Sequence, residues 1–364
     1  MLSHVKILDL SRVLAGPLCT MTLGDLGADI IKVERPGTGD DTRSWGPPFD
    51  ERGESAYYLS INRNKKSIAL NLQNEADLAL IRGLAEEADV VIDNYLPGTL
   101  QRHGIDPSHL LEEFPNLIWC TITGFGEGNP RAGYDLVVQA ESGWMAITGE
   151  RDGDPMKVGV ALADVIAGKD ATIAILGALV ARGNRTMSAH DRHIYISLSS
   201  SATAALVNVA QNTLVTGNDA KRWGNQHPNL VPYQLFHAAD RPVILAVGSD
   251  AQWKACARAL ELDSLATDDS LATNAGRLAN RDRLIATLTK KFLERSAKEW
   301  IELLDKAGIP CGIVKTVLEA VSETSSSPVT GIAPSVPGTV RLPPPRLDEH
   351  GDEIRKLGWS AFTS

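Results

Sequence analysis

The chain has 364 residues, 43% hydrophobic and 22% charged, with a formal net charge of −9. This length suits two domains, the composition is that of an ordinary globular protein, and the acidic balance argues against general nucleic-acid binding. No apolar run is long enough to span a bilayer, and the four cysteines, Cys19, Cys120, Cys256 and Cys311, form no C-x-x-C pair, which argues against zinc and a disulfide framework and predicts a reducing cytoplasm.

Residues 5–10 (VKILDL) predict a strand, so close to the start that no signal or transit peptide is expected. RVLAGP (12–17) is a turn, with Pro17 suited to the first position of a helix that stops near Gly27. ADIIKVE (28–34) is the next strand, and strand, helix and strand in so short a span predict a right-handed parallel βαβ unit. Glu75 and Asp77 load the first turn of a helix whose apolar face includes Leu78, Ile81 and Ala85. DVVID (89–93) and LIWCTI (117–122) are further strands, the second closing on a turn at Gly124 to Gly126. They are apolar nearly throughout, as expected of a sheet covered on both faces. The predicted fold is therefore α/β with an open parallel sheet, where ligands gather beyond the carboxyl ends of the strands. The first turn offers only Gly16 in place of G-x-G-x-x-G, so a nicotinamide dinucleotide site is not expected. Charges of both signs are mixed through residues 32–66, and Lys65 and Lys66 read as part of a charged loop. Arg35, directly after the second strand, is placed to stack on a base or fork onto phosphate.

Residues 158–181 (VGVALADVIAGKDATIAILGALVA) predict a long helix with Ile166, Ile173, Leu176 and Val180 on one buried face. Asp164 sits where it begins. An aspartate there is a favoured cap for orphan backbone N–H groups. The positive end of a helix also keeps a carboxylate ionised, and in a dry pocket such a carboxylate is a nucleophile. Residues 194–198 read as a strand and 204–214 as a helix, with Ser199, Ser200 and Ser201 as cap residues, since no G-x-S-x-G surrounds them. Residues 221–236 (KRWGNQHPNLVPYQLF) read as a loop in which His227 is a turn residue. A strand at 243–247, helices at 251–260, 280–292 and 297–307, and a strand at 311–314 describe a second, smaller α/β domain. Residues 322–345 are dense in Ser, Pro, Gly and Thr and read as extended or mobile chain. Residues 346–358 are charged and must lie along something else or stay disordered.

RVLAGP (12–17), LGDLGADIIKVERPGTGDDTRSWGPPF (23–49), YYLSINRNKKSIAL (57–70), NYLPG (94–98), GYD (133–135) and the Asp164 stretch occur together and in order, and so resemble the family III CoA-transferases. The likeness is greatest to members acting on succinyl-CoA and glutarate. The resemblance implies a large CoA-binding Rossmann-like domain with a parallel sheet (1–192), a linker (193–221), a small α/β domain (222–314), and a linker and tail returning to the large domain (315–364). It implies an interlocked homodimer, acyl-CoA and a carboxylic acid as substrates, no tightly bound cofactor, no metal, and no nucleic-acid or membrane partner. By the match of motifs Asp164 is the nucleophile. Val13, Ala15, Arg35, Leu70, Asn94, Tyr95 and Arg102 bind CoA, and Tyr134 contacts the acyl group. Trp223, Gly224 and Asn225 form a loop over that group. Leu14, Gln73 and Ala132 depart from residues common in the family.

For a dicarboxylic acid, the distal carboxylate calls for an arginine fork, and Arg43 is the candidate. Two other readings remain. An α-methylacyl-CoA racemase shares the resemblance, but Tyr134 stands where its proton-transferring histidine is expected, and a phenol is a poor base at neutral pH. A non-catalytic CoA-binding protein would use Asp164 only as a cap.

Overall fold

Six strands frame the first part of the chain: β1 (Lys6–Asp9), β2 (Asp29–Glu34), β3 (Lys65–Ala69), β4 (Val90–Asp93), β5 (Ile118–Thr123) and β6 (His193–Ser197). They pair in parallel in the order β3-β2-β1-β4-β5-β6. The computed structural model describes residues 1–324, 326–327 and 331–363, so part of the 322–345 stretch expected to be extended lies outside the described residues. Two compact units emerge. One comprises Met1–Met145, Lys157–Ala220 and the tail from Thr324; the other comprises Ala146–Met156 and Lys221–Glu323. Among the described residues no helix is long and apolar enough to cross a membrane.

In the first unit, helices α1 (Ala15–Asp25), α2 (Glu75–Glu87), α3 (Asp135–Glu141), α4 (Leu162–Asn184) and α5 (Leu198–Ala204) follow or flank these strands. One buried cluster joins Ile7, Ile30, Ile92 and Ile118 to Cys19, Leu23, Ala167 and Ile175; the opposite cluster joins Leu8, Ile31, Val91 and Trp119 to Ile81 and Leu84. Successive strand residues thus serve opposite faces, as the two-residue repeat demands. Residues 193–221, read from the sequence as a linker, carry β6 and α5.

β3 was hidden in what read as a charged loop. Lys65 is fully buried because its Nζ has three acceptors: Asp9 at 3.0 Å, Asn62 Oδ1 at 2.9 Å and the Pro17 carbonyl at 2.9 Å. A lysine so paired is compatible with a strand interior, since a buried charge needs a partner and hydrogen bonds.

The face of α4 also differs from its periodic reading. Ile173 and Val180 are 68% and 66% exposed, while Ala163, Ala167, Gly168, Ala171, Thr172, Ile175 and Ala178 are buried. Small side chains let α1 approach closely: a Cβ on Gly168 would lie 2.6 Å from the Ala15 carbonyl oxygen.

The tail returns to the first unit through named contacts. Asn64 Oδ1 accepts the N–H groups of Arg341 and Leu342, and its Nδ2 donates to the Thr339 carbonyl. Helix α9 (Gly351–Leu357) and the turn after it bury Ile354, Trp359 and Ala361, and Trp359 Nε1 donates to the Leu84 carbonyl at 3.0 Å. The charged segment 346–358 is therefore ordered, its apolar minority sufficing to dock it.

In the second unit, β7 (Tyr233–His237), β8 (Pro242–Ala246) and β9 (Cys311–Ile313) form an antiparallel sheet. Helices α6 (Asp250–Ala259), α7 (Arg281–Phe292) and α8 (Ala297–Lys306) share a core with it around Phe236, Trp253, Phe292 and Trp300. β7 lies in the segment read as a loop, where Gly224, Pro228 and Pro232 mask the alternation that follows them.

Gly168→Ala tests the close crossing. Alanine is favoured over glycine in a helix interior by about 1 kcal/mol. Here contact with a backbone oxygen outweighs that gain, so the melting temperature falls in calorimetry instead of rising.

Candidate active site

The strand order reverses between β1 and β4, and in open α/β sheets ligands bind in the crevice at this switch point. The two turns that leave β1 and β4 are tied together there. Asn94 Oδ1 accepts the Arg12 N–H at 2.9 Å, and Asn94 Nδ2 donates to the Arg12 carbonyl at 2.6 Å. The next residue, Val13, has φ of 70°. A β-branched residue in this left-handed region is strained, at a cost of about 1–3 kcal/mol. The Asp40 carboxylate accepts the Val13 N–H at 3.2 and 3.3 Å and is itself paired with the fully buried Lys32 at 3.0 Å. A buried ion pair thus holds the turn after β1.

A second pair of turns comes from β5. Gly124 lies against Gly133 so closely that a Cβ on either would come within 2.5 Å of the other's backbone. Only glycine fits at both places, and the contact sets Tyr134 and Asp135 above the end of the sheet. Asp135 then performs the task expected of Asp164. Its Oδ1 accepts the Ala163 N–H in the first turn of α4 at 2.8 Å, and its Oδ2 accepts from Gln139 Nε2 at 2.7 Å. Gln139 Oε1 in turn accepts the Val158 N–H at 2.8 Å, pinning the chain that leads into α4. The N-cap position is Ala161, which has no side-chain cap.

Asp164 is left in the first turn of α4 with no hydrogen-bond donor to its carboxylate among the described residues. Burial, and then repulsion from Asp135, push its pKa up to about 7. The helix end expected to keep it ionised therefore loses to desolvation. In the first turn of α4 the Leu162 and Val165 amides are bonded to the Val160 and Ala161 carbonyls and the Ala163 amide to Asp135, so among the described residues the Asp164 amide is the one left to hold an oxyanion.

Asp164 lines a cavity of about 260 Å³ with Arg12, Val13, Leu14, Ala15, Asn94, Tyr95, Arg131, Ala132 and Tyr134. Tyr134 is 60% exposed. Tyr95 also lines a second cavity of about 220 Å³, with Arg35, Leu70, Gln73, Leu100 and His103. Arg35 pairs with Asp41 at its rim. Arg102 lines neither cavity: it is exposed and donates to Thr99 Oγ1 at 3.1 Å. Trp223, Gly224 and Asn225 belong to the second unit. The guanidinium groups of Arg151 and Arg281 lie over the Trp223 ring, 5.5 and 5.2 Å from its centroid, and Gly224 has φ of 57°.

Arg43 does not fit the role of a substrate fork. It is buried, and its donors are engaged by Glu34 at 2.7 and 2.8 Å, Glu54 at 2.8 Å, Tyr58 Oη at 2.6 Å and the Pro345 carbonyl at 3.2 Å. An arginine so saturated is a strut, with nothing left to offer a ligand.

Sequence reasoning missed Tyr57, Arg12 and Asp135. Burial, and then the charges of Asp164 and Asp135, push the Tyr57 hydroxyl up to about 12, so it remains an O–H donor near Asp164 at neutral pH. Arg12 was visible only as part of a motif, and the signal for it was its place directly after the first strand. Nothing in sequence spacing ties Asp135 to Ala163, 28 residues away.

The profile of the family described as CoA-transferase family III matches residues 2–350. A curated relative from Mus musculus, succinyl-CoA:glutarate CoA-transferase, is 41% identical over 98% of this chain and 86% of its own length. Acetyl-CoA:oxalate CoA-transferase from Acetobacter aceti is 36% identical over 96% and 94%. Among solved structures, a CAIB/BAIF family protein from Brucella suis superposes with a TM-score of 0.84 at 38% identity, covering 97% of this chain and 98% of that one.

Desolvated and repelled by Asp135, Asp164 is largely neutral below pH ~7 and ionised above it. Carboxyl carbon NMR is expected to show one aspartate titrating near 7. Asp135→Asn keeps an acceptor for the Ala163 N–H but removes the charge, so that titration moves to lower pH. An unchanged midpoint would mean that Asp135 exerts no repulsion.

Proposed function

The chain belongs to CoA-transferase family III, and on that premise we propose that it moves CoA from succinyl-CoA to a small dicarboxylic acid such as glutarate, with Asp164 as the nucleophile. The observation that carries this reading is the bare Asp164 carboxylate in the switch-point cavity, its capping task taken over by Asp135. The named relatives support the choice of acids.

In this mechanism an Asp164 oxygen attacks the thioester carbonyl of the donor. The C–S bond breaks, giving a succinyl-aspartyl anhydride and CoA thiolate. The thiolate attacks the Asp164 carbonyl, forming an aspartyl-CoA thioester and releasing succinate. A glutarate carboxylate attacks that thioester carbonyl, giving a glutaryl-aspartyl anhydride and thiolate. Attack of the thiolate on the glutaryl carbonyl forms glutaryl-CoA and restores Asp164. No net proton is consumed, and one thioester replaces another, so the task is to bare the nucleophile and exclude water. Val13, Ala15, Asn94 and Tyr95 would flank the pantetheine arm, and Arg35 and Leu70 the adenine. Arg102 would reach CoA only from outside both cavities. Tyr134 and the Tyr57 hydroxyl are the donors next to the reacting acyl group.

The first unit would be the CoA-binding domain. An interlocked homodimer would cover apolar surface that a lone chain leaves in water. Ile173 and Val180 on α4 are exposed, and the helix Asn208–Thr216 buries no residue while presenting Leu214 and Val215 at 77% and 74% exposure. Exposed apolar side chains of this kind are what such an interface would bury.

Asp164→Asn tests the reading. With succinyl-CoA and glutarate, mass spectrometry is expected to find glutaryl-CoA from the parent protein and none from the variant. In the folded protein the Asp164 pKa lies above its unfolded value near 4, so ionisation destabilises the fold progressively as pH rises from about 4 through 7. The variant removes that cost and should melt higher than the parent at pH 8. Turnover retained by Asp164→Asn would refute the assignment.

A further inference from the structure

With Arg43 saturated, the switch-point cavity must supply another cation if a distal carboxylate is to be recognised. Two arginines line it, Arg12 and Arg131. Arg131 forms a bidentate pair with Glu141, at 3.0 and 2.7 Å, and lies over the Phe125 ring, both on exposed surface. Arg12 is differently placed. Its backbone is clamped on both sides by Asn94, and its guanidinium lies over the Tyr95 ring at 5.0 Å from the centroid. Nε is sealed from solvent without a partner, and Nη1 reaches Asp41 at 3.3 Å. Nη2 donates to no group among the described residues and is not sealed off. The side chain is 31% exposed, so it is positioned yet open. Asp41 is shared with Arg35, which weakens its claim on Arg12.

We propose that Arg12 is the specificity residue for the acid substrate: its terminal guanidinium nitrogens bind the distal carboxylate of a dicarboxylic acyl group whose other end reacts at Asp164. The inference rests on the transferase reading above. A planar guanidinium presents parallel N–H groups to a carboxylate, which an ammonium cannot do, and stacking on Tyr95 with the Asn94 clamp fixes it in advance. A cavity of about 260 Å³ falls below the range of roughly 300–1,000 Å³ typical of larger ligands and suits a short diacid chain more than the whole of CoA. The Asp41 carboxylate, repelled by an incoming anion, stays with Arg35.

Arg12→Gln and Arg12→Lys would be assayed with succinyl-CoA as donor and either glutarate or butyrate as acceptor, and with acetyl-CoA as a donor lacking the distal charge. Losing a hydrogen-bonded ion pair should raise KM for glutarate by about 10- to 100-fold in Arg12→Gln, while butyrate and acetyl-CoA change little. The preference for diacid over monoacid then collapses, and Arg12→Lys recovers it in part. A parent protein that transfers CoA to no diacid would sink the transferase reading itself. A parent that does, with variants that keep the full diacid preference, would overturn only the role of Arg12. Equal losses with acetyl-CoA and succinyl-CoA would also overturn it, because the partner would then be an anion of CoA.

Discussion

The hydrogen bond from the Ala163 N–H to Asp135 decides what the site can be. The first turn of a helix carries amides without intrahelical acceptors, and a nearby carboxylate that takes them becomes structural. Asp164 sits in that turn and would ordinarily serve. Asp135 comes to the same turn from outside the helix, held at its other oxygen by Gln139. Asp164 is thereby released from capping but remains buried beside a second carboxylate. Burial, and then repulsion from Asp135, raise its pKa to about 7, while release from capping leaves its oxygens bare. A carboxylate with lone pairs free of donors is a better nucleophile than one already hydrogen-bonded. The same arrangement makes its ionised form an expense to stability, which the surrounding packing must carry.

That packing includes an unusual amount of buried charge at the carboxyl edge of the sheet. Lys32 pairs with Asp40, Lys65 with Asp9, and Arg43 with Glu34 and Glu54. Burial pushes the Asp9 carboxyl up, but Lys65, Lys32, Ser11 and Thr20 together outweigh it and hold it at about 2. The Lys32–Asp40 and Arg43–Glu34 pairs join β2 to the loop that follows it, Lys65–Asp9 joins β3 to β1, and the Pro345 carbonyl on Arg43 adds the tail. Removing one partner of such a pair leaves an uncompensated charge, at a cost of about 3–5 kcal/mol. Hydrophobic residues would serve stability as well, but they would not fix the Val13 N–H on Asp40 or aim the turn after β1.

Much of this was legible in the sequence. Apolar strands and the turn residues between them gave β1, β2, β4 and β5 to within a residue or two, and the helix carrying Asp164 was evident. The failures share one cause: tertiary partners that spacing does not encode. β3 begins with two lysines, and the first is tolerable inside a sheet because Asp9, Pro17 and Asn62 converge on it. On α4 the large residues suggested the buried face, yet Gly168 and the alanines are buried because the α1 backbone comes too near for anything bigger. Arg43 looked like a free loop cation, since its partners Glu34, Glu54 and Tyr58 become neighbours only when the turn 41–44 folds back on β2. Arg12 lay in plain view, but its value depends on Asn94 and Tyr95, more than 80 residues on.

The chain also passes between its two units close to the nucleophile. It re-enters the first unit at Lys157, and α4 begins at Leu162. Residues 157–161 lead directly into α4, and Gln139 anchors them. It receives the Val158 N–H, donates to the Val160 carbonyl at 3.3 Å and holds Asp135, which holds Ala163. One fully buried amide side chain therefore fastens both the segment leading into α4 and the carboxylate that frees Asp164. An amide suits this post because it offers a donor and an acceptor without charge. A glutamate there would place a third carboxylate beside Asp135 and Asp164, and an aliphatic residue would leave the Val158 amide and the Asp135 Oδ2 without their partner.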